Sequence, residues 1–347
     1  MSADVATGDV ASVEGDAISI VVDDMGVHVE NANVVTADVE ASNGVIHVID
    51  AVILPDVELP AVDPLTVEGD IITAGSSTVF PLTEAMAARF NAEGYTGTIT
   101  VDSIGTGAGF ERFCVNGETD ISNASRAIKQ AEVDSCAALT PARSPLEFRV
   151  GTDGLAVVVS AENDFVQDVT AEELAVIFST AQNWSDVRPE WPAEPILRFI
   201  PGTDSGTFDY FVEAVFDEDE APILAAANTQ LSEDDNVLVQ GVESSPYAIG
   251  FFGYAYYINE GEKLRTVAIN GVAPNATSVE DGSYLLARPL FIYSDAGIIA
   301  AKPQVGSFIS FYLTNTVEEC ANVGYFPPSA FALNLAKLNI LSVMPGM

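Results

Sequence analysis

Three segments of the chain place small, hydroxyl-bearing residues where an anion could be held. Gly75-Ser76-Ser77-Thr78, Gly105-Thr106-Gly107-Ala108-Gly109 and Gly202-Thr203-Asp204-Ser205-Gly206-Thr207 each follow a short apolar run and precede a helical pattern. A helix start offers backbone N–H groups without intrahelical acceptors and the positive end of the macrodipole. Glycine lets the main chain approach a ligand, and Ser and Thr add hydroxyl donors. One such loop is ordinarily a capped helix. Three in one chain make an oxyanion site an equal alternative. A fourth segment, Asp120-Ile121-Ser122-Asn123-Ala124-Ser125-Arg126, sets one of only nine arginines beside a Ser-rich turn. A surface ion pair is the plain alternative for Arg126.

Catalytic chemistry is poorly provided for. The two histidines, His28 and His47, lie in the first fifty residues, and none follows. His-based triads, His acid–base work and most zinc sites are thereby disfavoured over the rest of the chain. The loops fit neither G-x-x-x-x-G-K-[ST] nor G-x-G-x-x-G, and no G-x-S-x-G elbow occurs. Three cysteines have no zinc spacing. The expectation is a binder of an oxyanion that leaves it unchanged, with no catalytic residue, cofactor or metal.

The elements that position these loops can be read from periodicity. Residues 1–55 read as β: short runs at Ala17–Val22, Val27–Val29, Asn33–Val39 and Val45–Leu54, separated by turn pairs such as Asn43-Gly44. Residues 56–69, acidic and proline-containing, read as a linker. From Asp70 onward strand, loop and helix alternate. Strands are expected at Ile71–Ala74, Thr98–Asp102 and Leu197–Ile200. Pro81 opens a helix burying Leu82, Ala85, Met86 and Phe90. Thr170 and Glu173 form a capping box. Phe208, Phe211, Val212, Val215 and Phe216 make the stripe of a core-facing helix. This alternation predicts an α/β fold of open sheets with helices on both faces.

Length and charge bound the rest. The 347 residues suggest two or three folding units. Asp and Glu number 51 against 13 Lys and Arg, a formal charge of −38. Nucleic acid is not an expected partner of such a surface. Self-repulsion of this size is relieved where salt is high, which suggests a saline habitat; ordinary solubility of an exported acidic protein is the rival explanation. The start MSADVATGDV carries neither a basic region nor an apolar stretch, so either the protein is cytosolic or its natural start lies elsewhere. No apolar run is long enough to span a membrane.

Residues 70–347 resemble the phosphate-binding proteins of ABC transporters, the PstS family. The matching strings are GSSTVFPLTEAMAARF (75–90), GTGAGFERFC (105–114), GETDISNASRAI (117–128), PGTDSGTFDYF (201–211), IGFFGYAYY (249–257) and RPLFIY (288–293), in family order. The resemblance implies a two-lobe type II periplasmic-binding-protein fold with a hinge, closing on inorganic phosphate. It carries ligand roles to Ser77, Thr78, Val79, Thr106, Gly107, Ser125 and Arg126 in one lobe and to Ser205, Gly206 and Thr207 in the other. Lobe one would be 70–150 plus 284–347, and lobe two 151–283. It implies delivery to ABC permease subunits, an extracytoplasmic location, a monomer, and a disulfide between Cys114 and Cys136. Cys320 reads as a core residue, and Trp184 and Trp191 as hinge-side packing. One branch of the family has an acidic proton acceptor where Arg126 stands and an Arg near Pro201. Discrimination against sulfate therefore lacks its usual basis, with Asp204 as one substitute acceptor and a helix cap as its other reading.

Residues 1–55 resemble the C-terminal part of a fasciclin domain, in SADVATGDVASVEGDAISI and VHVENANVVTADVEASNGVIHVIDAVILP. A partial fasciclin-like all-β segment is expected before the binding protein. Two alternatives stay open: a surface adhesion or matrix protein with a phosphate-sensing module, and a binder of another tetrahedral oxyanion such as sulfate or molybdate.

Overall fold

The computed structural model describes residues 5–344 apart from 14, 16, 24, 25, 31, 204, 233, 255, 256 and 258–262. The front segment is an antiparallel meander of β1 (Gly8–Ala11), β2 (Ala17–Asp23), β3 (Gly26–Val29), β4 (Ala32–Ala41) and β5 (Gly44–Ile49), paired in chain order. The last hairpin turns at Asn43, with Ala41 opposite Gly44. Strand β5 stops at Ile49, five residues short of expectation. There the Asp50 carboxylate accepts from the Asn33 backbone N–H (2.6 Å) and side-chain amide (2.7 Å), and this tie turns the chain out of the sheet. Strand β1 was not legible in the sequence.

The segment 56–69 does not hang free. Val57 is buried and donates its N–H to Asn334 Oδ1 (3.2 Å). Leu59, Val62 and Val67 pack on the adjoining core. Pro60 and Pro64 keep the segment out of any sheet, with one 3-10 turn at Pro64–Thr66, while its apolar side chains gain burial.

The remainder is built on one nine-stranded sheet. Its strands are β6 (Ile71–Gly75), β7 (Ile99–Ser103), β8 (Ile121–Ala124), β9 (Pro145–Ser160), β11 (Leu197–Pro201), β12 (Thr229–Ser232), β13 (Ala248–Gly253), β14 (Leu264–Thr266) and β16 (Ala287–Asp295). A separate parallel pair joins β10 (Asp168–Val169) to β15 (Ala268–Ile269). The order across the large sheet is β12-β11-β13-β9-β16-β8-β6-β7, with β14 on β9.

Register explains how this sheet makes a cleft. The first part of β9 pairs antiparallel with β16, from Pro145 opposite Asp295 to Gly154 opposite Ala287. Its last part pairs antiparallel with β13, Leu155 opposite Gly253. Strands β6, β7 and β8 are mutually parallel, and β8 is antiparallel to β16, so all three run along β9 toward the second half. Strand β11 is parallel to β13 and runs back toward the first half. The carboxyl ends of both sets of strands therefore meet over the β9–β16 crossing. In open α/β sheets that is where ligands bind.

Each half has its own core. Leu82, Met86 and Phe90 of α1 (Phe80–Ala92) pack with Phe308, Phe311 and Tyr312 of the helix Pro303–Val323. Phe208, Phe211 and Val212 anchor the other half with Phe178, Trp184 and Phe251. Phe211 stacks on Phe251 at 3.8 Å, and Trp184 meets Trp191 edge-on at 5.7 Å. Thr170 caps α4 (Ala171–Ile177), its hydroxyl accepting from the Glu173 N–H at 3.1 Å. Among the aromatics of 251–257, Phe251 and Phe252 lie in β13.

Candidate functional site

The loop after β6 is held by its neighbour. Ser76 donates its N–H to Asn123 O (2.9 Å), and the Ser76 hydroxyl accepts from the Thr78 N–H (3.2 Å). Gly75 has φ +146°, and a Cβ there would lie 2.0 Å from Asn123 O. Only glycine lets β6 pass β8 this closely. Ser77 is exposed, Thr78 is 3% exposed and Val79 is fully buried. Val79 thus has only its backbone to offer a ligand; its side chain belongs to the core. The Thr78 carbonyl accepts from the Tyr325 hydroxyl at 2.8 Å, which holds the loop from behind.

The loops after β7 and β8 meet directly. Thr106 begins α2 (Thr106–Phe110), and its Oγ1 stands 3.1 Å from Ser125 Oγ and accepts from the Ser125 N–H at 3.2 Å. Gly107 beside them is exposed. Cys114 and Cys136 form a disulfide, S–S 2.16 Å, bracketing the segment that carries Ser125 and Arg126. Cys320 is a free, buried thiol whose pKa burial pushes up to about 12.

Arg126 is not free. Its Nη1 and Nη2 donate to the two carboxylate oxygens of Glu132 (2.9 and 2.7 Å), and Nη1 also reaches Ala127 O (3.1 Å). Glu132 sits in the first turn of α3 (Gln130–Ala137) and also accepts from the Lys129 N–H (2.8 Å). Burial pushes the Glu132 carboxyl up, but the Arg126 and Lys129 hydrogen bonds outweigh it and hold it below the usual range. The ion pair that was the plain alternative for Arg126 is therefore present. Nε and one proton of Nη2 keep no partner among the described residues.

In the opposite half, Ser205 caps α5 (Gly206–Phe216), its hydroxyl accepting from the Thr207 N–H at 3.2 Å. Ser205, Gly206 and Thr207 are all half-buried. The turn is tied to β12 by the Gly202 N–H to Ser232 O (3.0 Å). Asp204, weighed as a proton acceptor, lies outside the described residues.

Residues not singled out in the sequence gather under the crossing. Arg288 stands opposite Asp153 in the β16–β9 register, its Nε 3.3 Å from Asp153 Oδ2. Its Nη1 donates to Glu213 of α5 (2.9 Å), and its guanidinium lies 3.7 Å over the Tyr210 ring. Asp153 is buried, which pushes its carboxyl up, opposed by the Arg288 charge. The only sequence signal for this cluster was the placement of Arg288 at the head of RPLFIY. No group of three metal-ligating side chains occurs among the described residues.

Opposed strand ends over a two-strand crossing, with Ser/Thr-rich helix starts on both sides, define a two-lobe binding protein. A family model described as the PBP superfamily domain matches residues 61–316, and a Fasciclin domain model matches residues 1–55. The chain belongs to the PBP superfamily, among the SphX and PstS proteins. It is 40% identical over 291 residues to Protein SphX of Synechocystis sp., covering 81% of this chain and 85% of that protein. It is 35% identical over 264 residues to the phosphate-binding protein PstS of Staphylococcus saprophyticus, covering 74% and 80%. The crystal structure of a possible phosphate binding protein from Planctomyces limnophilus aligns with TM-score 0.74 and 35% identity, over 80% of this chain and 99% of that one. An ABC-type phosphate transport receptor from Vibrio cholerae shares the fold, with TM-score 0.58 and 21% identity over 75% and 100%.

Proposed function

We propose that the chain binds inorganic phosphate between its two halves and passes it to ABC permease subunits for uptake, outside the cytoplasm and as a monomer. The observation that carries this reading is the convergence of the Thr106 and Ser125 hydroxyls, 3.1 Å apart, at strand ends facing the Ser205 cap. Ser77, Thr78, the Val79 backbone, Thr106, Gly107, Ser125 and Arg126 would contact the anion from one lobe, and Ser205, Gly206 and Thr207 from the other. The lobes would be 70–150 with 284–347, and 151–283, closing about the β9–β16 crossing. A relative at 35% identity is named a phosphate-binding protein, and a solved structure at 35% identity a possible phosphate binding protein, which supports phosphate over other oxyanions. The disulfide fits an oxidising compartment.

Magnitudes suit a binder. About eight donors, each worth roughly 1.5–3 kcal/mol gross to a charged acceptor, give on the order of 12–24 kcal/mol. Lost freedom and lobe closure consume much of that. A micromolar dissociation constant needs only about 8 kcal/mol. Calorimetric titration with phosphate, sulfate and molybdate is the test. Tight phosphate binding with sulfate measurably weaker is expected. Equal affinity for sulfate would refute the phosphate assignment.

The Fasciclin match favours a second reading, in which the front segment mediates surface attachment. Deleting residues 1–55 separates the two. Phosphate binding survives under the first reading, and cell attachment is the activity lost under the second.

A further inference from the structure

Arg288 is an unusual residue for a hinge strand. It is 8% exposed, and its Nη2 is buried without a hydrogen-bond partner among the described residues. A buried cationic donor without an acceptor is costly, and native proteins keep few of them. The rest of the guanidinium is fixed from three sides, by Asp153 on β9, Glu213 on α5 and the Tyr210 ring.

The register places this group at the cleft. Phe291 of β16 is opposite Ala124, the last residue of β8. Arg288 is three residues further along β16, about 10 Å at the usual strand rise. It therefore lies past the end of β8, where the chain has turned into Ser125 and Arg126. From the other half, β13 ends at Gly253 opposite Leu155, two residues from Asp153. Glu213 and Tyr210 belong to the helix that begins at Gly206, and Tyr210 is one turn from Thr207. Arg288 thus sits between the two sets of loops, bonded to both crossing strands and to the helix of the second set.

Charge alone does not single it out, because Arg126 is matched by Glu132 and Arg288 by Asp153 and Glu213. The donor left over does: the buried Nη2 needs an acceptor, and an oxyanion supplies one.

We propose that Arg288 is a second cation of the anion site, donating a hydrogen bond from Nη2 to the bound oxyanion at the floor of the cleft. The proposal rests on the phosphate reading above. Asp153 and Glu213 act as positioning residues, fixing Nε and Nη1 so that Nη2 remains for the ligand. A fixed guanidinium offers a directed donor that a lysine ammonium does not reproduce.

The test is phosphate titration of the full chain by calorimetry, with inorganic phosphate as the probe. Arg288→Lys is expected to bind about tenfold more weakly, and Arg288→Gln with Asp153→Asn about 100-fold more weakly. The double change keeps the buried charges balanced so that folding is retained. Arg112→Gln, which breaks a surface pair with Asp102 and Glu118, should bind as wild type. Wild-type protein labelled with 15N in arginine gives a readout independent of any variant's folding. Phosphate should shift the Arg288 guanidinium signals, assigned by their loss in Arg288→Lys. Arg288 signals that stay still at phosphate concentrations where calorimetry shows the site filled, or Arg288 variants that bind within about twofold of wild type, would overturn the proposal while leaving the phosphate reading intact. Absence of phosphate binding by the wild type would overturn both.

Discussion

Arg126 and Glu132 face each other through a two-pronged contact, Nη1 to Oε2 at 2.9 Å and Nη2 to Oε1 at 2.7 Å. The guanidinium also lies 5.4 Å over the Phe110 ring, so its plane is fixed. What remains for a ligand is the edge formed by Nε and the second Nη2 proton. In the proposed site the pair would use one edge of a planar fork to aim the other.

Removing either partner should therefore have linked effects. Arg126→Ala is expected to weaken phosphate binding about 10- to 100-fold, as loss of a charge-assisted contact does. Glu132→Gln should cost about three- to tenfold by loosening that aim, and nothing further once Arg126 is gone. Calorimetry on the two single variants and the double variant reads this coupling, and strict additivity would disprove it. The pair also carries pH dependence. Glu132 lies below its ordinary value of 4.5, so its stabilisation is complete above that pH and is lost as the pH falls through the lowered value. Thermal melts from pH 7 to 3 should show a decline that Glu132→Gln flattens by about 0.5–1 kcal/mol.

Gly75 gives a sharper test of the loop after β6. A Cβ would meet Asn123 O at 2.0 Å, and the φ of +146° disfavours any side chain. Backbone must move on one side or the other, and it moves at Ser76, whose N–H is bonded to that same carbonyl. Gly75→Ala should lower stability by about 2–3 kcal/mol and phosphate affinity at least about tenfold. Chemical denaturation and titration measure the two. Unchanged affinity in a folded variant would show that this loop does not touch the ligand.

How far the sequence anticipates this arrangement depends on the kind of contact. The stripe of Phe208, Phe211 and Val212 and the Thr170–Glu173 cap are local, and both appear where periodicity and spacing put them. Thr106 and Ser125 stand in separate loops of the sequence, and only the parallel order β8-β6-β7 brings them to 3.1 Å. Glu132 is six residues from Arg126, yet its pairing depends on how α3 turns back, which no local signal records. Arg288 and Asp153 are 135 residues apart, and their meeting is a property of sheet register alone. Val57 and its neighbours, read as linker, become buried because a core surface lies within reach of an extended chain.

The Cys114–Cys136 bridge closes a separation of 22 residues around Ser125 and Arg126. A loop of that size is stabilised by about 3 kcal/mol in the chain-entropy model. Reduction, or Cys114→Ser with Cys136→Ser, should lower the melting temperature by on the order of 10 °C. Phosphate affinity should fall as well, because the bridge holds the segment that presents Ser125. Melting and titration in the presence and absence of a reductant test both, and a melting temperature unmoved by reduction would argue against a structural bridge.

Salt separates the local site from the overall field. A formal charge of −38 repels a dianion at long range, whereas the helix starts, hydroxyls and one or two guanidinium groups of the proposed site would attract it at contact. The screening length falls from about 10 Å at 0.1 M to about 3 Å at 1 M salt, so the repulsion is lost while hydrogen bonds inside a closed cleft persist. Stopped-flow measurements should show phosphate association holding steady or rising from low to molar sodium chloride. The melting temperature should rise over the same range as the acidic surface is screened. A steep fall in affinity with salt would mean that long-range attraction dominates binding, which a chain with 51 acidic and 13 basic residues has no broad surface to supply.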